Sequence, residues 1–225
     1  MGKSNEFEKR KARAQAAMER RTAKREPYDV VLVVCEGSKT EPYYLNAMKD
    51  DLELGNANVK IVEEHHGTDP LSVVNFALTY YDAEPIYDRI YCVFDKDGHK
   101  TYMPALNLVN QHPLRRQGKL FAINSVPCFE VWLLLHFAYT AKAYVKTGKN
   151  SSCDLVIRDL KNSILGYDKG HKSVYEIVKG KTADAIKHAK RLHKYTASVG
   201  TDNPSTRLHD LVEYFRELSE KRKRG

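Results

Sequence analysis

The segment Tyr28-Asp29-Val30-Val31-Leu32-Val33-Val34-Cys35 constrains the fold more than any other part of the chain. It is an almost unbroken β-branched run without polar alternation, the pattern of a strand covered on both faces, as in a parallel sheet. Three more strands are expected at Val59–Glu63, Arg89–Phe94 and Leu120–Ile123. Helical patterns separate them. One opens at Pro42 and continues through Tyr44, Leu45 and Met48. A second opens at Asp69-Pro70 and carries Val73, Val74, Phe76, Ala77 and Tyr80. A third covers Met103–Gln117, weakened near its end by Pro113, and an apolar helix is read over Cys128–Phe137. Strands alternating with helices imply βαβ units joined by right-handed crossovers.

After Tyr139 the strand signals fade. Ala183, Ile186 and Ala189 recur at helical spacing with Leu192 close by, and Asn203-Pro204-Ser205-Thr206 reads as a helix start before Leu208, Leu211, Val212, Phe215 and Leu218. Ser151–Cys153 and Gly166–Gly170 read as loops. The organisation expected is a basic arm over 1–26, an α/β core over 27–140 and a helical region with a basic tail over 141–225.

Charge is distributed unevenly. Residues 1–26 hold nine Lys or Arg against four Glu, a net +5, and residues 216–225 hold five against two, a net +3. These ends account for the whole formal charge of +8, so the stretch from Pro27 to Phe215 is formally neutral. Basic ends suit a sequence-independent, salt-sensitive grip on nucleic acid, with Lys9, Arg10, Arg20, Arg21, Lys221 and Arg222 as candidates. A solvated face that only aids solubility is the plainer reading of the same charges. No apolar run approaches the roughly 20 residues of a membrane span, and the four cysteines lie far apart with no C-x-x-C spacing. A cytoplasmic protein with reduced thiols and no membrane partner is expected.

Carboxylates gather where an open parallel sheet binds its ligands, at the carboxyl ends of its strands. Glu36 ends the first strand, and Asp95 and Asp97 end the third. Glu41 lies one turn into the helix after the first strand, and Glu130 begins the helix after the fourth strand. Singly, each fits a structural role, as a turn former or an acid at a helix N-terminus. Together they repel one another unless a hard divalent cation, Mg²⁺ or Mn²⁺, compensates. Lys39, Lys96 and His99 are the nearby candidates for facing a phosphate or moving a proton, and Lys169, His171 and Lys172 form a basic loop farther on, with Lys169 and Lys172 as further candidates for binding nucleic acid. His65-His66 and Trp132 read as a surface loop and a core residue.

The order of a hydrophobic strand ending in Glu36-Gly37-x-x-x-Glu41 and another ending in Asp95-x-Asp97 resembles the TOPRIM fold of topoisomerases, DnaG-type primases and OLD-type nucleases. Four blocks, V-V-C-E-G-S-K-T-E-P-Y-Y, C-V-F-D-K-D-G-H, N-S-V-P-C-F-E-V-W-L-L-L-H-F and N-P-S-T-R-L-H-D-L-V, together resemble the RloB-like family, encoded in prokaryotic restriction and phage-defence neighbourhoods. The resemblance spans residues 28–215. It implies an α/β fold with a TOPRIM-like parallel sheet of about four strands flanked by helices, with a helical C-terminal extension. It further implies a metal-dependent nuclease acting on DNA or RNA, with Glu36, Asp95, Asp97, Glu41 and Glu130 as metal ligands and catalytic acids, and an ABC-type ATPase as partner. This chain has no Walker A pattern of its own.

Two other readings stand beside the nuclease. Phe94-Asp95-Lys96-Asp97 resembles the nucleophile loop of haloacid-dehalogenase-type phosphatases, although that family's later paired acids are not evident and its D-x-D should end the first strand. A nucleic-acid-binding subunit, active only within a complex, is the non-enzyme reading. The amphipathic final helix suits a homo-oligomer as readily as a core.

Overall fold

The computed structural model describes residues 28–56, 58–62, 67 and 69–224. The basic arm, with Lys9, Arg10, Arg20 and Arg21, lies outside the described residues, as do Glu63 and His65-His66. Five strands form one sheet: β1 (Val31–Cys35), β2 (Val59–Val62), β3 (Arg89–Asp95), β4 (Leu120–Val126) and β5 (Ser205–Thr206), in the order β2-β1-β3-β4-β5. β1 pairs in parallel with β2 and β3, and β3 in parallel with β4. Only β5 is antiparallel, set against Ser125 and Val126 of β4.

The lack of alternation in β1 has its expected cause. Val31, Val33 and Cys35 enter one hydrophobic layer, and Leu32 and Val34 enter the other. β3 divides likewise, with Tyr91 and Val93 on the first side and Ile90, Cys92 and Phe94 on the second. The second layer is closed by α2 (Pro70–Ala83) and α3 (Tyr102–Gln111), through Val73, Val74, Ala77, Ala105 and Val109. Asp69 caps α2, its carboxylate accepting from Leu71 N at 3.1 Å, with Pro70 in the first turn. The first layer joins α1 (Thr40–Asp51) to helices from far along the chain, including Phe215 and Leu218 of α9 (Leu208–Arg224).

Several local expectations need correcting. The stretch 103–117 is two helices, α3 and α4 (Pro113–Arg116), because His112 is extended at ψ 140°. A residue before proline avoids the helical region. The apolar segment after Pro127 is helical only as the short α5 (Glu130–Leu134). Ser151–Cys153 is a helix start rather than a loop. Ser151 and Asp154 form a reciprocal capping box that opens α6 (Ser152–Leu160).

Asn203–Thr206 does not start a helix. Ser205 and Thr206 add an edge strand, held where Ser125 Oγ and Thr206 Oγ1 meet at 3.0 Å and Arg207 N donates to Asn124 O at 2.9 Å. In α8 (Thr182–Val199), which follows α7 (Val174–Val178), the buried face is Ala185, Ala189, Leu192 and Thr196; Ala183 is exposed and Ile186 half-buried. Among the described residues no helix is long and apolar enough to cross a membrane.

Candidate active site

The strand order reverses between β1 and β3. The chain leaves β1 toward β2 on one side and returns past it to β3 on the other. A crevice opens at such a switch point, outside the carboxyl ends, and Glu36 and Asp95 leave the sheet there side by side. Glu36 N donates to Val93 O at 2.9 Å, which extends the ladder by one residue. Its side chain then turns across to β3, where Oε2 accepts from Asp95 N at 2.9 Å. Oε1 lies 3.1 Å from His99 Nε2. Burial lifts the Glu36 carboxyl to about 7 against the hydrogen bond from Asp95, and the charges of Asp69 and Asp97 add to the rise.

Next to Glu36 is a cleft of about 220 Å³, lined by Gly37, Lys39, Glu41, Asp95, Glu130 and Lys169 among others. The Glu41 carboxylate leans directly over Gly37, and a Cβ at that position would collide with it. Burial, then Glu130 and Glu36, raise the Glu41 carboxyl to about 7, against a backbone hydrogen bond and Lys169. Asp95 stands well above the usual carboxylate range, again through burial first and then through Glu41 and Glu130, with a hydrogen bond from Phe129 N opposing. Glu130 is buried and accepts from Tyr167 Oη at 3.2 Å.

One wall comes from the C-terminal region. Gly170 N donates to Thr40 Oγ1 at 2.9 Å, docking the Lys169-Gly170 loop on the first turn of α1. Burial disfavours the Lys169 ammonium, but neighbouring negative charge, that of Glu130 first and of Asp95 with it, outweighs burial and holds its pKa above the ordinary lysine value. A lysine set among carboxylates is a ready partner for a phosphate oxygen.

The structure thus brings Glu41, Asp95, Glu130, Lys39 and Lys169 to one cleft, with Glu36 and His99 beside it. Others lie apart. Asp97 is exposed, in a tight turn at φ +22° followed by Gly98 at +77°, and its N donates to Pro127 O. Lys96 Nζ bonds Asp202 Oδ2 at 2.6 Å and lies 5.5 Å from the Tyr102 ring centre. Lys172 is exposed over Tyr43, and Lys221 is exposed on the last turn of α9. Arg222 donates to Glu53 O at 2.7 Å. Trp132 is fully buried against His136. Tyr167, Thr40 and Asp202 carry no signal in the sequence that would have placed them here.

The carboxylates and hydroxyls of the cleft suit a hard cation in kind. They do not close a shell around one. Among the described residues no group of three or more His, Cys, Asp or Glu is arranged to hold a metal ion. Mg²⁺ commonly takes one or two protein carboxylates and completes its octahedron with water and substrate phosphates. A donor set of this size fits a cation held in that shared manner, not one caged by protein alone.

Comparison with known proteins returns one finding. The family model for RloB-like protein matches residues 31–215, from β1 into α9. No curated protein and no solved structure matches the chain.

Proposed function

The chain belongs to the RloB-like protein family, and from that premise we propose that it is a Mg²⁺- or Mn²⁺-dependent nuclease. It hydrolyses phosphodiester bonds in DNA or RNA, in the cytoplasm, as part of prokaryotic defence against phage. The observation that carries this reading is the cluster of Glu41, Asp95 and Glu130. Burial and mutual repulsion raise two of these carboxyls, and all three share one small cleft with Lys169. Such repulsion is costly to hold in a fold and is relieved by positive charge.

A bound divalent ion would supply a Lewis acid for a phosphoryl oxygen and would acidify an attacking water. The chain's own groups account for the rest. With a pKa near 7, Glu36 is poised to take a proton from water at neutral pH, and the His99 ring 3.1 Å away orients it. Lys169 faces the charge that develops on a phosphate in the cleft. Tyr167, kept a neutral phenol by burial and by Glu130, donates to that carboxylate and fixes its direction.

The test is cleavage of plasmid, single-stranded DNA, transfer RNA and total RNA with Mg²⁺, Mn²⁺ or EDTA, for the wild type beside Asp95→Ala. Cleavage that disappears in EDTA and in the variant supports the reading; cleavage retained in the variant overturns it. A second reading is favoured by the incomplete ligand shell: a nucleic-acid-binding subunit whose acids an ABC-type ATPase, or a second copy of the chain, must draw together. Binding of nucleic acid without turnover under any metal would select it.

A further inference from the structure

One face of α8 carries a row that the acid cleft does not use. Ala183, Ile186, Lys187, Lys190, Arg191 and Lys194 line a shallow trough of about 520 Å³. Their spacing of three, four and seven residues sets them on one side of the helix. The opposite side, Ala185, Ala189, Leu192 and Thr196, is buried. Against four cations α8 places one acid, Asp184, and Glu213 of α9 engages Lys190 at 2.6 Å. Lys187, Arg191 and Lys194 have no carboxylate partner in an ion pair among the described residues, and Arg191 lies 3.8 Å over the ring centre of Tyr139.

We infer that this row is a docking track for the phosphate backbone of a nucleic-acid duplex. The ligand class rests on the nuclease reading; the place comes from charge. A chain that is neutral from 27 to 215 segregates three uncompensated cations along two turns of one exposed helix, a rise of about 10 Å. An acidic phosphate backbone complements them without base contacts. A single strand would ask for several aromatic faces to stack on. Tyr139 is already covered by Arg191 and His188, which leaves Tyr195, 43% exposed, at the flank of the row. The helix also points the right way. Just past its C-cap Gly200, Asp202 bonds Lys96 of the D-x-D loop, so the segment leaving the helix is tied to the loop that follows Asp95.

The test measures binding of a 30-base-pair DNA duplex in EDTA across a salt series. It compares wild type, the double variant Lys187→Gln/Lys194→Gln, and a charge-matched control, Lys146→Gln/Lys149→Gln, in an exposed loop outside α8. The α8 variant should bind at least about tenfold more weakly at moderate salt, with a log–log salt slope shallower by about 2. The control should follow the wild type. Failure of the wild type to bind, or equal affinity for the two variants, would overturn the track. Hydrolysis of bis(p-nitrophenyl) phosphate, too small to reach α8, separates the two claims. If it fails in wild type while binding depends on α8, the nuclease reading falls; if it persists while binding ignores α8, the track falls.

Discussion

The acid cleft and the α8 row hold opposite charges in opposite environments. In the cleft, Glu41 and Glu130 are at most 9% exposed, and burial together with the neighbouring Glu130 charge displaces the Glu41 pKa upward. On α8 the cations face solvent, so their charge acts at a distance and is screened by salt. Burial makes the first set suited to holding and moving protons or ions. Exposure makes the second suited to gathering a long anion.

The largest break in this comparison is expected at its centre. Asp95→Ala should lower cleavage at least about 10³-fold while leaving the thermal midpoint unchanged or raised, because a repelling carboxylate is removed. A lowered midpoint would mean that Asp95 supports the fold. Lys169→Ala should cost about 10²-fold, chiefly in kcat, if its ammonium meets charge that develops in the transition state.

Stability should respond to pH with an unusual sign. The Glu41 carboxyl has a folded pKa of about 7 against an ordinary 4.5, so the folded state binds the extra proton between these values. Its contribution is neutral below about 4.5, and it destabilises increasingly as pH rises through 7. In metal-free protein, Glu41→Gln should therefore be the more stable at pH 8, by on the order of 3 kcal/mol. The difference should close toward pH 5, as read by denaturant melts. Added Mg²⁺ should reverse the ranking at pH 8 by stabilising wild type alone.

Lys96→Ala should show the smallest effect. Both partners of its ion pair with Asp202 are about 40% exposed or more, and such pairs are worth under about 1 kcal/mol. Cleavage within roughly tenfold of wild type is expected. A loss as large as that of Lys169 would place Lys96 on the substrate instead.

Some of this was legible in the sequence because it depends on neighbours along the chain. A buried parallel strand reads as a continuous apolar run, so β1 and β3 stood out, and the acids at their ends came with them. The basic loop at Lys169 was legible as basic, but not its position, which depends on Gly170 meeting Thr40 some 130 residues earlier. Asn203–Thr206 has helix-start chemistry, yet pairing with the free edge of β4 prevails locally. In α8 the periodicity of Ala183, Ile186 and Ala189 reads as a core face, while the actual core stripe lies one step round, through Ala185 and Leu192. Small residues mark a helix face weakly.

The central claim is that the carboxylates at the ends of β1 and β3 and on the adjoining helices form a divalent-cation site. Its most direct test is Mn²⁺ binding at pH 8, followed by the paramagnetic resonance of the free ion, for wild type and Asp95→Asn. The account predicts saturable uptake by wild type that the variant loses while keeping its fold by circular dichroism. Equal uptake by the folded variant, or none by wild type with a nucleic-acid duplex present to supply phosphates, would contradict it.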